Sequence, residues 1–320
     1  MKSIILSTPN KVEVVDISKP KIDRYRNVLI KVAYCGICGS DIPKFLGKRT
    51  TTKDLVMGHE FCGWVVDGPQ HLINQLVTVI PLWYCDKCTN CKNGNYQLCE
   101  NQLFMGSTID GGLQEYVTVP ECYLYPIPEL VQSPKLGALI EPLSCAVHAV
   151  DLLYTKNLTY KTIGIVGYGS IGSLIKLVLM QHLGVSESQI KIINPNTVLP
   201  DNTLDYCYEC SGSVGGLNSA IKFTKFRGTI VQIGIIYPHK LVAGDLQFDK
   251  LLRKEQILIG SWNSDFHEDW RIAYELIKEN IDIYNSIVSY VFNIEKAQEA
   301  FETKINNTTN KVLIKLEKED

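Results

Sequence analysis

The chain has 320 residues, a formal net charge of −2 and 45% hydrophobic residues. This length accommodates two domains, and the charge gives no general attraction to nucleic acid or to a membrane surface. No apolar run reaches the ~20 residues that span a bilayer, and the apolar start of the chain is too short for a signal-peptide core. Several of the 11 cysteines cluster around candidate metal sites. This clustering fits a reducing compartment, and we therefore expect a cytoplasmic protein.

The first half of the chain predicts a mostly antiparallel β domain, because short β-type runs alternate with Gly, Pro and Asn turns. These runs are residues 28–33, 61–66, 76–82 and 113–119. Near the end of the chain, residues 311–316 alternate in polarity like a further strand, which can return to the first domain.

Two short motifs in this half carry candidate metal ligands: C-G-I-C-G-S-D at 35–41 and G-H-E at 58–60. Together with a carboxylate, Cys38 and His59 form a ligand set that suits Zn²⁺. Glu141, just before the chain changes character, is a candidate for that carboxylate. Three protein ligands leave one position for water or substrate, as a catalytic zinc site requires. Taken alone, His59 is equally consistent with an ordinary surface or core histidine.

Four cysteines follow the pattern C-x2-C-x2-C-x7-C, and the residues between them are mostly polar, as in a loop. Four thiolates this close can surround one tetrahedral Zn²⁺ with no open position, so the predicted site is structural. The four residues are Cys85, Cys88, Cys91 and Cys99. The alternatives are a chance cluster and a disulfide pair, but nothing else in the chain is typical of a secreted protein.

From about residue 150 onwards the chain changes to a βα pattern. Apolar strand-like runs alternate with helical stretches, which favours a parallel sheet. The predicted strands are residues 162–166, 189–193, 204–209, 229–234 and 257–260, and residues 171–183 form the first predicted helix.

The first of these strands runs into a G-x-G-x-x-G pattern that opens an amphipathic helix. In that context Gly167 permits a tight turn, Gly169 lets the backbone approach a pyrophosphate, and Gly172 lets helix and strand pack closely. The start of the helix, with Ser170 and Ile171, offers backbone N–H groups and a positive dipole to the phosphates. The alternative is a plain glycine-rich turn.

A dinucleotide-binding fold normally holds the adenosine ribose with an acidic residue about 20 positions after the glycines. Asn194 stands at that place, and a neutral amide tolerates either a hydroxyl or a phosphate nearby. No arginine follows that would bind the 2′-phosphate, so both NAD and NADP stay open and NAD is favoured. About ten residues separate Asn194 from the next core strand at 204–209, so we expect the sheet to lack its outer βα unit.

These motifs together make the chain resemble the zinc-dependent medium-chain dehydrogenases and reductases, the family of alcohol and sorbitol dehydrogenases. The resemblance rests on G-I-C-G-S-D at 36–41, G-H-E at 58–60, the four-cysteine segment at 85–99, D-G-G-L-Q-E-Y at 110–116, E-P-L at 141–143 and the glycine loop at 167–172. It implies a catalytic zinc on Cys38, His59 and Glu141, with Glu60 as an adjacent or alternating ligand. With the structural zinc, this makes two zinc ions per chain, and the cofactor is NAD or NADP.

Within the family the chain is most similar to the polyol-phosphate dehydrogenases, on the residues D-I-P-K at 41–44, F-M-G-S at 104–107 and I-G-S-W at 259–262. Pro43 occupies the place where many alcohol dehydrogenases carry a proton-relay histidine. We therefore expect Ser40 to accept the hydroxyl proton of an alcohol that zinc has made more acidic, while a hydride passes to the nicotinamide. Lys44 and Arg49, in the loop after Cys38, are candidate ligands for a substrate phosphate.

The resemblance implies an α/β fold with a GroES-like catalytic domain at 1–146 and 288–320 and a Rossmann-type domain at 147–287. The expected reaction is hydride transfer between NAD(P) and the secondary alcohol or ketone of a polyol, with a sugar-alcohol phosphate favoured as substrate. The alternatives are a threonine or simple-alcohol dehydrogenase, a pentulose-5-phosphate reductase, and a catalytically silent zinc-bound member of the family. The resemblance also implies pairing through the last Rossmann strand into a homodimer or a homotetramer, and we take the strongly apolar run 229–236 as that pairing edge.

Overall fold

A computed structural model describes residues 1–22, 27–51, 54–153, 158–237, 246–306 and 311–317. The chain divides into two compact units, Met1–Glu141 with Asp265–Asp320 and Pro142–Ser264. The expected domains, 1–146 with 288–320 and 147–287, are defined by binding of zinc and of the cofactor. Compactness alone does not test that definition, so these bounds stay a prediction.

The N-terminal part of the first unit consists mainly of short strands that follow the predicted β-type runs. In chain order its elements are β1 (Lys2–Thr8), β2 (Lys11–Asp16), β3 (Asn27–Gly36), α1 (Ile42–Phe45), β4 (Glu60–Asp67), β5 (Leu76–Val79), β6 (Leu82–Trp83), α2 (Thr89–Lys92), β7 (Leu103–Phe104), β8 (Tyr116–Pro120), β9 (Leu124–Pro126) and α3 (Ile140–Asp151), the last of which runs on into the second unit. β8 begins three residues after the start of the predicted strand 113–119, since Leu113 N–H donates to the carbonyl of Met57 outside any strand ladder.

The second unit alternates strands and helices, as the sequence predicts. Its elements are β10 (Ile163–Val166), α4 (Ser170–Gln181), β11 (Ile190–Ile193), β12 (Leu204–Glu209), α5 (Val214–Phe223), β13 (Thr224–Gln232), α6 (Phe248–Arg253) and β14 (Ile257–Gly260). The strands form one parallel sheet in the order β11-β10-β12-β13-β14. β11 is an edge strand, and residues 194–203 contain neither helix nor strand. The predicted loss of the outer βα unit is therefore confirmed.

The apolar run at 229–236 is not the edge of this sheet, so the predicted pairing edge is wrong. β13 ends at Gln232 and lies between β12 and β14, in parallel pairing with both. Its backbone groups are satisfied on both sides, and Ile230 and Val231 are fully buried. The run is apolar because it is an interior strand, and the edge on this side of the sheet is β14.

The chain returns to the first unit after Ser264. Its last elements are α7 (Glu268–Glu279), α8 (Ile281–Asn285), β15 (Val288–Asn293), α9 (Ala297–Asn306) and β16 (Lys311–Lys315). β16 pairs antiparallel with β3, which confirms the expected return of the last strand to the first domain. Across the described ranges, every helix is too short or too polar to cross a membrane.

The main sheet of the first unit sets the position of the candidate site. It has the order β15-β16-β3-β4-β5-β9, and β8 also pairs with β3. Gly36, the last residue of β3, lies opposite Glu60, the first residue of β4, and it also lies opposite Leu313 of β16. This register brings together the loop after β3, the loop before β4 and the start of β16.

Candidate active site

The predicted catalytic ligands meet where β3 ends and β4 begins. Cys38 follows the end of β3 by two residues, and His59 directly precedes Glu60 at the start of β4. One ligand atom each from Cys38, His59 and Glu60 lies within 4.8 Å of the other two. His59 and Glu60 are buried and Cys38 is partly exposed. A thiol, an imidazole and a carboxylate at this spacing can hold one metal ion.

The Asp41 carboxylate lies beside the His59 ring. Its Oδ1 atom lies 3.9 Å from His59 Nδ1, and its Oδ2 atom accepts a hydrogen bond from the backbone N–H of Cys38 at 3.1 Å. His59 Nδ1 is buried and makes no hydrogen bond to any described residue. Since Nδ1 faces Asp41, Nε2 is the ring nitrogen left for a metal, the usual arrangement when a carboxylate supports a histidine ligand.

Glu141 lies in the first turn of α3 and is buried. Burial raises the pKa of its carboxyl group to about 8, and the nearby Glu60 and Cys38 act in the same direction against an opposing effect of His59. Burial also raises the pKa of the Cys38 thiol to about 11. A bound cation would make the Glu141 carboxyl group and the Cys38 thiol lose their protons near neutral pH. The two side chains therefore fit a metal ion whose binding releases protons. Within the described residues, Glu141 lies outside the 4.8 Å group formed by Cys38, His59 and Glu60.

Glu60 is also paired with a buried lysine. Both of its carboxylate oxygens accept hydrogen bonds from Lys311 Nζ at 2.6 Å, and each side chain is 1% exposed. Burial acts to raise the pKa of Glu60, but Lys311 and His59 outweigh it and lower that pKa below its ordinary value. The sequence interpretation did not single out Lys311. The sequence feature that could have identified Lys311 is a charged residue directly before the apolar residues of a predicted strand.

The loop after Cys38 holds the remaining predicted residues. The Ser40 side chain lies near the Cys38 sulfur and slightly offsets the effect of burial on the pKa of that thiol. Lys44 is buried, and its Nζ donates to the carbonyl oxygen of Gly106 at 2.6 Å. This contact holds its ammonium group inside the protein, and its role as a phosphate ligand stays a prediction. Arg49 is exposed and remains a candidate for that role.

The four cysteines of the predicted structural site form one cluster, with all their sulfurs within 4.8 Å of one another. Cys88 Sγ lies 3.5 Å from Cys91 Sγ, and no disulfide links the described cysteines. The backbone N–H of Cys85 donates to Cys99 Sγ at 3.3 Å. Backbone hydrogen bonds from Lys87 and Cys88 lower the pKa of Cys85 to about 6, so this sulfur readily becomes a thiolate. The cluster fits a closed tetrahedral zinc site.

The glycine pattern forms the predicted turn between β10 and α4. Gly167 has a φ angle of +84°, and a Cβ there would lie 2.9 Å from the backbone of Ser211. A Cβ on Gly172 would clash with the carbonyl oxygen of Gly167, whereas a Cβ on Gly169 would meet no atom within 4 Å. The open backbone at Gly169, directly before the helix start at Ser170, fits the pyrophosphate of a dinucleotide.

Asn194 lies beside this loop because β10 and β11 end side by side. Val166 lies opposite Ile193, and Gly167 N–H donates to the carbonyl oxygen of Ile193 at 3.0 Å. Asn194 is exposed, and its backbone N–H donates to Thr197 Oγ1 at 2.9 Å. A neutral side chain at this place does not repel a 2′-phosphate.

Glu209, at the end of β12, is a buried carboxylate near the glycine loop that the sequence interpretation missed. It accepts hydrogen bonds from the backbone N–H groups of Ser211 and Gly212 and from Gln232 Nε2, at 2.8, 3.1 and 2.5 Å. Burial raises its pKa. These bonds fix the turn after β12 beside the glycine loop. An acidic residue at the end of a buried core strand was the signal that could have identified it.

Comparison with known proteins finds the same family in both halves of the chain. The family model described as alcohol dehydrogenase GroES-like domain matches residues 24–129, and the model described as zinc-binding dehydrogenase matches residues 191–279. D-arabitol-phosphate dehydrogenase of Enterococcus avium is 29% identical over 100% of this chain and 99% of its own length. Galactitol 1-phosphate 5-dehydrogenase of Escherichia coli strain K12 is 26% identical over 98% of this chain and 99% of its own length.

Solved structures show the same fold. Galactitol-1-phosphate dehydrogenase from Escherichia coli matches with a TM-score of 0.84 and 25% identity, over 98% of this chain and 99% of that chain. A Sinorhizobium meliloti 1021 protein described as a zinc-binding dehydrogenase, solved bound to NADP, matches with a TM-score of 0.83 and 26% identity over 98% of each chain. The expected combination of a GroES-like and a Rossmann-type domain is confirmed. The chain belongs to the zinc-dependent medium-chain dehydrogenases, a family of oxidoreductases.

Proposed function

We propose that this chain transfers a hydride between NAD(P) and the secondary alcohol or ketone of a polyol, and that sugar-alcohol phosphates are its substrate class. The observation that carries the proposal is the group of Cys38, His59 and Glu60 ligand atoms within 4.8 Å, in a chain that also has a dinucleotide-type glycine loop. The substrate class rests on the similarity to dehydrogenases of D-arabitol phosphate and galactitol 1-phosphate.

The proposed metal ligands are Cys38, His59 and Glu141, with Glu60 as an adjacent or alternating ligand. A zinc ion held by these residues would supply Lewis acidity that makes a substrate hydroxyl more acidic, and a nicotinamide bound at the glycine loop would supply the hydride-transfer chemistry. Asp41 keeps the His59 ring turned so that Nε2 faces away from Asp41.

Ser40 is the proposed first acceptor of the substrate's hydroxyl proton. Its hydroxyl lies at the Cys38 sulfur and its side chain is partly exposed, so it can pass a proton on to solvent. Pro43 cannot take part in proton transfer, so the route has no histidine relay at that position. The open backbone at Gly169 and the start of α4 at Ser170 would bind the cofactor pyrophosphate.

A substrate panel tests the proposed function. The purified chain is assayed with pentitol and hexitol phosphates, the same polyols without phosphate, threonine and simple alcohols, each with NAD and with NADP. We expect kcat/KM to be at least about tenfold higher for one or more polyol phosphates, a difference of about 1.4 kcal/mol in transition-state stabilisation. A higher kcat/KM for threonine or a simple alcohol would contradict the proposed substrate class.

We propose two zinc ions per chain, one catalytic and one in the four-cysteine cluster. Cys91→Ser removes one of the four thiolates from the cluster, at a buried position. We expect metal analysis to give about two zinc ions per parent chain and about one per variant chain, together with a lower melting temperature. Cys122→Ser, at an exposed cysteine outside the cluster, is the control. A parent with no zinc after gentle purification contradicts both metal sites.

Asn194 is the proposed determinant of weak cofactor discrimination. It does not repel a 2′-phosphate, so we expect kcat/KM for NAD and NADP to differ by roughly tenfold or less, with NAD preferred. Asn194→Asp should raise the preference for NAD, because a carboxylate hydrogen-bonds the ribose hydroxyls and repels the phosphate. Asn196→Asp, two residues further along the exposed segment, is the matched control. A thousandfold preference in the parent would show that another residue sets cofactor specificity.

We further propose a homodimer or homotetramer in the cytoplasm, paired through the edge strand β14. Ile257 and Leu258 of this strand are 53% and 38% exposed. An apolar edge of this kind is an aggregation hazard when it stays uncovered. We expect sedimentation at micromolar concentration to show a dimer or a tetramer, and Ile257→Lys to weaken the association. A parent that sediments as a monomer contradicts the assembly.

A further inference from the structure

Lys44 is a charged side chain inside the protein, in the short helix α1, whereas Lys48 and Arg49 directly after this helix are exposed. It is 2% exposed, and its Nζ lies 3.4 Å from Asp41 Oδ1, one helical turn away. Its shorter bond, at 2.6 Å, goes to the carbonyl oxygen of Gly106, which is 62 residues further along the chain. Burying an ammonium group is strongly unfavourable unless partners compensate its charge. These two acceptors therefore determine where the Lys44 side chain lies.

The first acceptor, Asp41, contacts both proposed zinc ligands of this region. Oδ2 accepts from the backbone N–H of Cys38 at 3.1 Å, and Oδ1 lies 3.9 Å from His59 Nδ1. Asp41 is fully buried, so its carboxylate needs a positive partner. Lys44 supplies that charge at Oδ1, the oxygen that also faces the His59 ring.

The second acceptor, the Gly106 carbonyl, belongs to a segment packed on the backbone just before His59. A Cβ on Gly106 would lie 2.7 Å from the backbone nitrogen of Gly58, so the backbone segments around Gly106 and Gly58 are in direct contact. The Phe104 ring meets the His59 ring edge to face, with centroids 5.2 Å apart. The F-M-G-S segment at 104–107 is thus a second segment packed against His59, in addition to the loop that carries Cys38.

We propose that Lys44 is a positioning residue for the catalytic metal. Its ammonium group ties the Asp41 carboxylate to the Gly106 segment, so the two loops that contact His59 cannot move apart independently. This inference rests on the proposed zinc site at Cys38 and His59. Lys44 acts through Asp41 and touches neither substrate nor cofactor, and its main effect is to slow the loss of the metal ion.

The test compares zinc release to a chelator from the parent, Lys44→Met and Lys48→Met proteins. Methionine keeps an unbranched chain and removes the ammonium group, and Lys48 is an exposed lysine of the same loop. We expect Lys44→Met to release one of its two zinc ions roughly 10–100-fold faster than the parent, the range in which residues that support metal ligands act. Lys48→Met should match the parent, and the zinc of the four-cysteine cluster should leave at the parental rate in all three proteins.

A double-variant cycle separates positioning from general loss of stability. If Lys44 acts through Asp41, Lys44→Met should change zinc release by less than about twofold in an Asp41→Asn background. The double variant buries no unpaired charge, so it provides the test if Lys44→Met alone does not fold. A double variant that retains zinc as tightly as the parent overturns the inference.

Equal zinc release from the parent and Lys44→Met would also overturn it. If this result came together with a loss of kcat/KM confined to phosphorylated polyols, Lys44 would instead be a substrate ligand. A parent that holds zinc only in the four-cysteine cluster would contradict the proposed function itself. Failure of the proposed function can therefore be distinguished from failure of the inference about Lys44.

Discussion

Replacing His59 by alanine is expected to lower kcat by about a thousandfold or more and to leave cofactor binding unchanged. The imidazole is one of three proposed ligands, and its loss removes Lewis-acid stabilisation of ~4 kcal/mol, which corresponds to that factor in rate. The glycine loop lies in the other compact unit, so the variant should still bind the dinucleotide. Steady-state kinetics with a polyol phosphate gives kcat, and titration of nicotinamide fluorescence gives the affinity for NADH.

His71→Ala is the matched control, because His71 is an exposed histidine of the same unit. Its side chain is 69% exposed, and its Nε2 lies 3.5 Å from Glu121 Oε1 in a surface pair. Such a pair contributes about 1 kcal/mol or less to stability, and His71→Ala should keep the parental kcat. If His59→Ala also kept a near-parental kcat, the proposed metal mechanism would be wrong.

Lys311→Met is expected to lower the free energy of unfolding by about 3–5 kcal/mol, the cost of leaving one partner of a buried ion pair without the other. Both Glu60 oxygens bond to Lys311, and both side chains are 1% exposed. Because the pair lowers the pKa of Glu60, its stabilising effect is present above the ordinary value of 4.5 and is lost as the pH falls through the lowered value. Urea unfolding of the zinc-free proteins across this pH range measures both effects, because acid releases a metal held by thiolate and imidazole ligands.

Two variants identify the cause of that loss. Glu60→Gln combined with Lys311→Met removes both charges, so it should recover most of the stability lost in Lys311→Met. Lys296→Met breaks an exposed pair with Glu299, whose side chains are 62% and 56% exposed, and it should change stability by about 1 kcal/mol or less. A Lys311→Met protein as stable as the Lys296→Met control contradicts a compensating role for Lys311.

Features built from neighbouring residues could be predicted from the sequence. The four cysteines lie within one short segment, so their spacing alone limits how far apart the sulfurs can be. The glycine pattern is similarly local, because strand, turn and helix follow one another directly. The missing outer unit followed from counting the residues between Asn194 and the strand that begins at Leu204.

Features that join distant residues could not be predicted in this way. Lys44 and Gly106 are 62 residues apart, and Glu60 and Lys311 are 251 apart. A loop lysine is usually solvated, so nothing in the residues around Lys44 reveals that its ammonium group is buried. The composition of the run at 229–236 does not distinguish an edge strand from an interior strand, because both can be equally apolar. The pairing of β14 beyond it determines which of the two it is.

The most direct test of the account is the rate of NAD(P)H formation from pentitol and hexitol phosphates, measured before zinc removal, after zinc removal and after zinc is restored. We predict turnover of at least one polyol phosphate by the zinc-loaded protein, its loss on chelation, and its recovery with zinc but not with magnesium, which prefers oxygen ligands. Undiminished turnover by the zinc-free protein would contradict the account. So would a zinc-loaded protein that turns over no polyol phosphate with either cofactor.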